Sequence, residues 1–211
     1  NNFFKEYSDK DIVHGVRIFS PIPIESQNWR LDHNDFACER KEGTGCSATV
    51  FYGHMKKSNT EVAIKQLKFP KLSGNKLRTF QREIMVLAMA EHPCLLKFVG
   101  ATDTPPFCIV TEWMGGGTLF SDLHKTRKLN PTGLTIAAID IARGMRFLHS
   151  RQLIHRDLKS LNVLLDAAGN AKICDFGFSR QNSKDQFMTQ NIGTPHWMAP
   201  ELLGGSVSYD E

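Results

Sequence analysis

The sequence lacks the features that mark membrane-spanning, secreted or nucleic-acid-binding proteins. It contains no apolar run long enough to cross a bilayer and no secretory signal. Its five cysteines are an odd number without paired spacing, and several lie in apolar runs, so we expect reduced thiols and a location in the cytosol or nucleus. The formal charge is only +4 and the basic residues are scattered, so the sequence indicates no nucleic-acid partner.

The most informative part of the sequence is a pair of short apolar runs, residues 163–165 and 171–174, separated by turn-forming residues. This pattern predicts a β-hairpin. The two outer flanks of such a hairpin lie side by side, which brings Asp157 and Asn162 near Asp175. Carboxylate and amide oxygens are hard ligands, so the set favours Mg²⁺ over a softer metal.

The flanks of this hairpin resemble two motifs of the eukaryotic protein kinases. Residues 155–162 read His-Arg-Asp-Leu-Lys-Ser-Leu-Asn and residues 175–177 read Asp-Phe-Gly, which is similar to the catalytic loop and the magnesium motif of that family. A polar hairpin whose charges meet by chance would not be expected to match these positions in order. The resemblance implies that the cofactors are ATP and Mg²⁺.

The same resemblance implies a role for each polar side chain. Asn162 and Asp175 would hold Mg²⁺, and Asp157 would orient the acceptor hydroxyl and accept its proton. Lys159 would stabilise charge on the phosphoryl group in transfer. His155 is expected to be a packed structural residue rather than a base.

A glycine-containing loop joins two strand-like segments, with Gly43, Gly45 and Ala48 at its spaced positions. A dinucleotide-binding enzyme would follow such a loop with a helix. Here aromatic and β-branched residues follow, so we predict a strand and a loop that folds over phosphates. The kinase pattern has a third glycine where this chain has Ala48. The added methyl group limits φ and the approach of the backbone to phosphate, so we expect a changed nucleotide affinity rather than a loss of activity.

A lysine and a glutamate complete the predicted nucleotide site. Residues 61–65 read as a strand that ends in Lys65, and apolar residues at helical spacing over 77–87 predict a helix that carries Glu83. Taken alone, Lys65 reads as a surface lysine. By resemblance, Lys65 holds the α- and β-phosphates and Glu83 pairs with it.

Two further strands are predicted at residues 95–99 and 107–111, followed by three glycines at 115–117. By resemblance, Thr111 is the gatekeeper, and the three glycines mark a boundary between two lobes. The remaining adenine contacts that the resemblance implies are the backbone of Glu112 and Met114 and the side chains of Val50, Ala63 and Leu164.

A core helix is predicted over residues 131–150, because Leu134, Ala138, Ile141, Met145 and Leu148 form one apolar seam.

The polar loop of residues 179–191 resembles a kinase activation loop. Phe176, which precedes it, is placed by resemblance among the regulatory residues. We hypothesise that phosphate on Ser183 or Thr189 would pair with Arg156 and order the loop. Unmodified surface hydroxyls are an equally good interpretation of each residue.

The resemblance implies an α+β, bilobal protein-kinase fold. The expected parts are an N-terminal extension at 1–28, an antiparallel β-rich N-lobe with one helix at 29–114, and a helical C-lobe at 115–211. A complete kinase continues with further helices, one of which carries an arginine that pairs with Glu201. We therefore expect a catalytic domain truncated after its Ala-Pro-Glu motif, and poor stability and little or no activity from these residues alone.

The expected function is a protein kinase of signalling that phosphorylates protein substrates. Lys159 and Thr194 favour serine and threonine as acceptors, with dual specificity left open. Lys159-Ser160 and the segment from Trp197 to Glu201 resemble the tyrosine-kinase-like group, which contains the Raf and mixed-lineage kinases. The alternative is a nucleotide-binding pseudokinase that scaffolds partners. The oligomeric state is left open.

Overall fold

A computed structural model of the protein describes residues 29–181 and 194–203 and divides the chain into two compact units. Within the described residues, the first unit consists of 29–91 and Lys97–Met114. The second consists of His92–Leu96 and the residues from Gly115 onward. The expected N-lobe, 29–114, thus differs from the first unit by the short stretch His92–Leu96.

The first unit is an antiparallel five-stranded sheet with one long helix. Its sheet has the strand order β1-β2-β3-β5-β4. The strands are β1 (Phe36–Thr44), β2 (Ala48–Met55), β3 (Glu61–Leu67), β4 (Phe98–Ala101) and β5 (Cys108–Glu112). The predicted hairpin around the glycine loop is therefore confirmed as β1 and β2.

Alternation along β3 separates the two faces of this sheet. Val62 and Ile64 are fully buried and belong to a core cluster with Phe36 and Val110. Because successive side chains of a strand point to opposite faces, Lys65 lies on the other face.

The strand register assigns four of the predicted nucleotide residues to the face of Lys65. Val50 lies opposite Lys65, and Thr111 lies opposite Ala63. Directly opposed side chains share a face, and residues two apart on one strand also share it. Val50, Ala63, Lys65 and Thr111 therefore lie on one face of the sheet, as does Ala48.

The helix of the first unit is α1 (Gly74–Met89), which contains the predicted helix over 77–87. Its buried side includes Phe80 and Ile84. The Phe80 ring contacts the Phe107 ring edge to face, with centroids 5.8 Å apart. This packing fixes the rotation of α1 and buries Glu83 with its apolar neighbours.

The second unit combines two small sheets with a long helix. Its elements are β6 (Gly117–Thr118), α2 (Leu119–Ser121), α3 (Pro131–Ser150), β7 (Leu153–Ile154), β8 (Val163–Leu165), β9 (Ala171–Ile173), β10 (Arg180–Gln181) and α4 (Pro200–Leu203). The sheets have the orders β6-β8-β9 and β7-β10. The predicted hairpin is confirmed as β8 and β9, whose strands pair antiparallel.

Helix α3 has the predicted bounds, but its buried stripe differs from the predicted seam. The Asn130 side chain accepts a 2.8 Å hydrogen bond from the Gly133 N–H, which caps the first turn. Ala138 is exposed, whereas Ala137 and Gly144 are buried. A Cβ on Gly144 would lie 2.9 Å from the Ile173 side chain. Helix and strand therefore approach closely at a residue that an apolar-seam search does not count.

The predicted strand at residues 95–99 is confirmed only for Phe98 and Val99, because β4 begins at Phe98. The preceding residues pair with β9 in the second unit. Leu95 forms a parallel bridge with Ile173. The Leu96 N–H donates to the Ile173 carbonyl at 2.9 Å, and the Ile173 N–H donates to the Cys94 carbonyl at 3.0 Å. One apolar run thus supplies two different sheets.

No helix in the described part of the chain is both long enough and apolar enough to span a membrane.

Candidate active site

The glycine loop forms the tight connection between β1 and β2. The Gly45 N–H donates to the Ala48 carbonyl at 2.9 Å. Ala48 is 7% exposed and lies in β2 opposite Leu67, where an ordinary extended backbone is required. A Cβ on Gly43 would meet no atom within 4 Å, so the space beside this glycine is open. The hairpin therefore accommodates alanine at the third glycine position and leaves room at the first.

Lys65 and Glu83 form an ion pair within the first unit. The Lys65 Nζ donates to Glu83 Oε1 at 2.7 Å and to Oε2 at 3.0 Å. The Lys65 side chain is 29% exposed and that of Glu83 only 9% exposed. The pair joins β3 to α1 and holds a cation on the face of the sheet shared by Val50, Ala63 and Thr111.

The predicted gatekeeper and adenine contacts lie at the end of β5. Thr111 is buried, and Met114 is also buried. The Glu112 N–H donates to the Lys97 carbonyl at 3.0 Å. Any hydrogen bond from the Glu112 backbone to adenine would therefore use its carbonyl oxygen. Trp113 packs edge to face on Tyr52, with centroids 5.0 Å apart, as a half-buried aromatic residue.

In the second unit, the Asp157 carboxylate is the centre of a hydrogen-bond cluster. Its Oδ2 accepts from Lys159 Nζ at 2.6 Å and from Asn162 Nδ2 at 3.0 Å. Its Oδ1 accepts from the Thr194 hydroxyl at 2.7 Å. The Thr194 hydroxyl in turn accepts from Lys159 Nζ at 2.7 Å, which closes a triangle of three side chains.

These contacts keep Asp157 in its charged form. Burial raises the pKa of the Asp157 carboxyl, but the hydrogen bonds from Lys159, Thr194 and Asn162 outweigh burial and hold the pKa below its usual value. An acceptor hydroxyl that reaches this carboxylate would therefore meet a hydrogen-bond acceptor and not a competing donor.

Asn162 is oriented by a second contact with Asp157. Its Nδ2 also donates to the Asp157 carbonyl at 2.8 Å, so the amide oxygen is the Asn162 atom that could coordinate a cation. The Asn162 carbonyl accepts from the Cys174 N–H at 2.9 Å, which brings the residue before Asp175 against the loop of residues 155–162. Asp175 has φ of 64°.

The donor set formed by Asn162 and Asp175 fits Mg²⁺, which commonly takes one or two oxygen ligands from protein and the rest from phosphates and water. Among the described residues no group of three or more His, Cys, Asp or Glu is arranged to hold a metal ion. The roles of Asn162 and Asp175 stay predictions.

His155 supports the loop, as the sequence led us to expect. It is 1% exposed, and its Nε2 donates to the Cys174 carbonyl at 3.0 Å while Nδ1 accepts from the Asp157 N–H at 3.3 Å. Burial lowers the pKa of His155, so the ring is neutral. Phe176 is fully buried with its ring 5.3 Å from that of His155.

Of the remaining predicted residues, Leu164 and Arg156 belong to the described part of the chain and two others do not. Leu164 lies in the middle of β8, and its side chain is only partly buried. Arg156 has φ of 65°, and its Nε donates to the Phe178 carbonyl at 2.6 Å. Ser183 and Thr189, the predicted phosphorylation sites, lie outside the described residues.

One contact of the glycine loop was not predicted. The Lys68 Nζ donates to the Gly45 carbonyl at 2.6 Å. In the sequence, Lys68 is an ordinary polar residue at the end of a strand, and no local pattern distinguishes it from a solvated lysine. Only the strand pairing reveals its partner.

Comparison with known proteins agrees with the resemblance. The protein kinase domain family matches residues 36–211. The serine/threonine-protein kinase STY17 of Arabidopsis thaliana is 36% identical over 185 residues, which are 86% of this chain and 32% of STY17. The serine/threonine-protein kinase TNNI3K of Mus musculus is 39% identical over 175 residues, 79% of this chain and 21% of TNNI3K.

A third relative, the dual specificity protein kinase pyk3 of Dictyostelium discoideum, is 40% identical over 182 residues, 86% of this chain and 13% of pyk3. The chain thus spans a third or less of the length of these curated relatives. The family match covers most of the chain, and with it the predicted α+β fold class is confirmed. This chain belongs to the protein kinase domain family.

Proposed function

We propose that this chain is the catalytic part of a protein kinase that transfers the γ-phosphoryl group of ATP to serine or threonine hydroxyls of protein substrates. The observation that carries the proposal is the cluster around Asp157. Lys159, Thr194 and Asn162 donate four hydrogen bonds to this residue, three of them to its carboxylate, at 2.6 to 3.0 Å.

In the proposed reaction, Asp157 receives the proton of the acceptor hydroxyl. The hydroxyl donates a hydrogen bond to the carboxylate, its oxygen bonds to the γ-phosphorus, and the bond from that phosphorus to the ADP oxygen breaks. The proton passes to Asp157 and leaves later to water. Because the pKa of Asp157 is held low, its main contribution is to orient the hydroxyl, and proton transfer follows as the oxygen loses its basicity.

Lys159 and Lys65 would provide the protein's positive charge. Lys159 is held by Asp157 and Thr194, which fixes its ammonium group without a further loss of side-chain entropy during the reaction. Lys65 is held by Glu83 and would contact the α- and β-phosphates. Mg²⁺, when bound, would neutralise charge on the triphosphate, and the Asn162 amide oxygen and the Asp175 carboxylate would hold it.

Serine and threonine are the proposed acceptors, with tyrosine as a possible second class. The Lys159–Thr194 contact supports this choice, since the sequence argument for serine and threonine rested on these two residues. The names of STY17 and TNNI3K, both serine/threonine-protein kinases, agree with this choice, and the name of pyk3 includes dual specificity. Lys159-Ser160 and the segment up to Glu201 support the tyrosine-kinase-like group and a role in signalling.

The direct test compares the native full chain with Asp157→Asn. We expect Asp157→Asn to reduce phosphoryl transfer from radiolabelled ATP to a mixed protein substrate by about 100-fold or more. ATP binding, measured by calorimetry, should stay within about threefold, since Asp157 is not placed on the nucleotide. Asp103→Asn removes a carboxylate from a surface ion pair with Arg30 and is the matched control.

Two outcomes would overturn the proposal. Full transfer by Asp157→Asn would remove Asp157 from the reaction. A native chain that binds ATP but transfers no phosphoryl group would favour the pseudokinase alternative.

The cytosol or the nucleus stays the proposed location. All five cysteines lie in the described part of the chain and none is in a disulfide there, which agrees with a reducing compartment. A fluorescent fusion of the full chain found outside both compartments would contradict it.

A further inference from the structure

We propose that Lys68 is a positioning residue that holds the glycine loop in the shape needed to receive the triphosphate. The inference rests on the proposed function, because it concerns the loop expected to cover the phosphates of ATP. Two contacts carry it. The Lys68 Nζ donates to the Gly45 carbonyl at 2.6 Å, and the Lys68 backbone N–H donates to the Ser47 carbonyl at 3.0 Å.

The loop has little else to hold it. Residues 41–47 are all exposed, so no buried side chain fixes the tip of the hairpin. Gly45 has wide conformational freedom, which makes an unconstrained loop costly to order on binding. Across the tip, the Gly45 N–H donates to the Ala48 carbonyl at 2.9 Å, and the Thr44 and Thr49 hydroxyls are 3.5 Å apart. The two contacts from Lys68 add a constraint from the residue that directly follows β3.

These contacts set the direction of the backbone dipoles. Within one trans peptide unit, the carbonyl and the following N–H point in opposite directions. Holding the Gly45 carbonyl toward Lys68 therefore turns the Cys46 N–H away from Lys68. A loop that binds phosphate does so with N–H groups held in one direction. Lys68 would thus act on the nucleotide through the loop and not by touching it.

The position of the Lys68 ammonium argues for this indirect role. Its Nζ donates a hydrogen bond to the Gly45 carbonyl at 2.6 Å, so the charged donor is already engaged by the loop. Lys65, three residues earlier in the chain, already supplies the ammonium group that Glu83 holds in place. The two lysines therefore have separate tasks, one on the phosphates and one on the loop.

The test uses three variants of the full chain. Lys68→Met removes the ammonium, Lys68→Arg keeps a donor that can reach the carbonyl, and Lys57→Met is the control. Lys57 lies in the turn after β2, and its side chain is 92% exposed with a 3.9 Å contact to Asp35. Hydrogen exchange of residues 43–48 is measured without nucleotide, and KM for ATP and kcat are measured separately.

We expect Lys68→Met to speed exchange in the loop and to raise KM for ATP by about 2- to 10-fold, which is the range of one hydrogen bond. The kcat should change by less than about twofold, since the interaction does not change between bound ATP and the transition state. Lys68→Arg should restore most of both effects, and Lys57→Met should change neither.

The outcomes separate this inference from the proposed function. A native chain that does not bind ATP refutes the proposed function, while the exchange measurement still tests the contact with the loop. Unchanged exchange in Lys68→Met refutes the positioning role, even if KM rises, because a direct contact with phosphate would then explain the rise. Faster exchange with an unchanged KM also refutes it.

Discussion

The Lys65–Glu83 ion pair should make a measurable contribution to the stability of the first unit. The perturbation is a double-mutant cycle with Lys65→Met, Glu83→Gln and the double variant. Both carboxylate oxygens of Glu83 accept from Lys65 Nζ, at 2.7 and 3.0 Å. The cycle isolates the coupling between the two side chains, because other contacts of each residue cancel.

The magnitude follows from how far each partner is buried. Exposed ion pairs contribute less than about 1 kcal/mol, whereas removing one partner of a fully buried pair costs about 3–5 kcal/mol. Glu83 is close to the buried limit with 9% of its side chain exposed, but Lys65 is 29% exposed. Water can therefore still solvate part of the Lys65 ammonium in the variant. We expect a coupling free energy of about 1–2 kcal/mol.

The assay is urea unfolding followed by tryptophan fluorescence. Trp29 and Trp113 belong to the first unit and Trp197 to the second, so a Trp197→Phe background makes the signal specific to the first unit. Trp197 is 46% exposed, which makes this replacement mild. A coupling free energy below about 0.5 kcal/mol would refute the reasoning, because it would mean that the pair behaves as a surface contact.

Three further predictions concern single positions. Asn130→Ala should lower the free energy of unfolding by about 1 kcal/mol, since it removes the cap on the Gly133 N–H, and an unchanged urea midpoint would contradict the cap. Ala48→Gly should destabilise the first unit by about 0.5–1 kcal/mol, because Ala48 already has a strand conformation. In contrast to the changed affinity expected from the sequence, the Kd for ATP should stay within about twofold, and a tenfold tighter Kd would instead support that earlier expectation. Lys159→Met should raise the pKa of Asp157 toward its usual value. The depressed pKa of Asp157 stabilises the folded state above about pH 4, and this contribution is lost as the pH falls through the pKa of the folded state. The free energy of urea unfolding of Lys159→Met should therefore depend less on pH between about 5 and 2 than that of the native chain. An unchanged pH profile would contradict this prediction.

Local signals in the sequence were sufficient for the hairpins and the long helix. Asp166 begins the turn between β8 and β9, and its Oδ1 accepts from the N–H groups of Ala168 and Asn170 at 2.9 Å. Such a turn is encoded by residues only two to four apart. The start of α3 is likewise set by Asn130 and the proline that follows it. These features could be predicted because their causes lie within a few residues.

The errors occurred where a distant partner decides the outcome. The apolar run from Leu95 to Val99 has a strand pattern throughout, but Leu95 pairs with Ile173 and only the end of the run enters β4. In α3, the apolar seam pointed to Ala138, yet Gly144 marks the side that approaches β9. Apolar periodicity does not count glycine as a buried residue, although the absence of a side chain is what permits the close approach.

The same distinction applies to the candidate site. The identities of Asp157, Asn162 and Asp175 came from a resemblance to a family, and no spacing rule yields the bond between Thr194 and Asp157, which are 37 residues apart. The bond between Lys68 and Gly45 was missed for the same reason, since it depends on the pairing of three strands. Motifs identify the atoms of a site, but the contacts that orient those atoms depend on the tertiary fold.

Each unit builds its own part of the proposed chemistry from contacts inside that unit. The first unit holds the Lys65 cation through Glu83, and the second holds the Asp157 carboxylate through Lys159 and Thr194. Because these two sets share no residue, the stability losses from changing both should add, as they do for independent sites. Activity should behave differently, since a reaction that needs both the phosphate contact and the oriented hydroxyl is lost when either is removed. The contrast between additive stability and non-additive activity therefore follows from the arrangement of the contacts, and it distinguishes residues that act in the reaction from those that only maintain the fold.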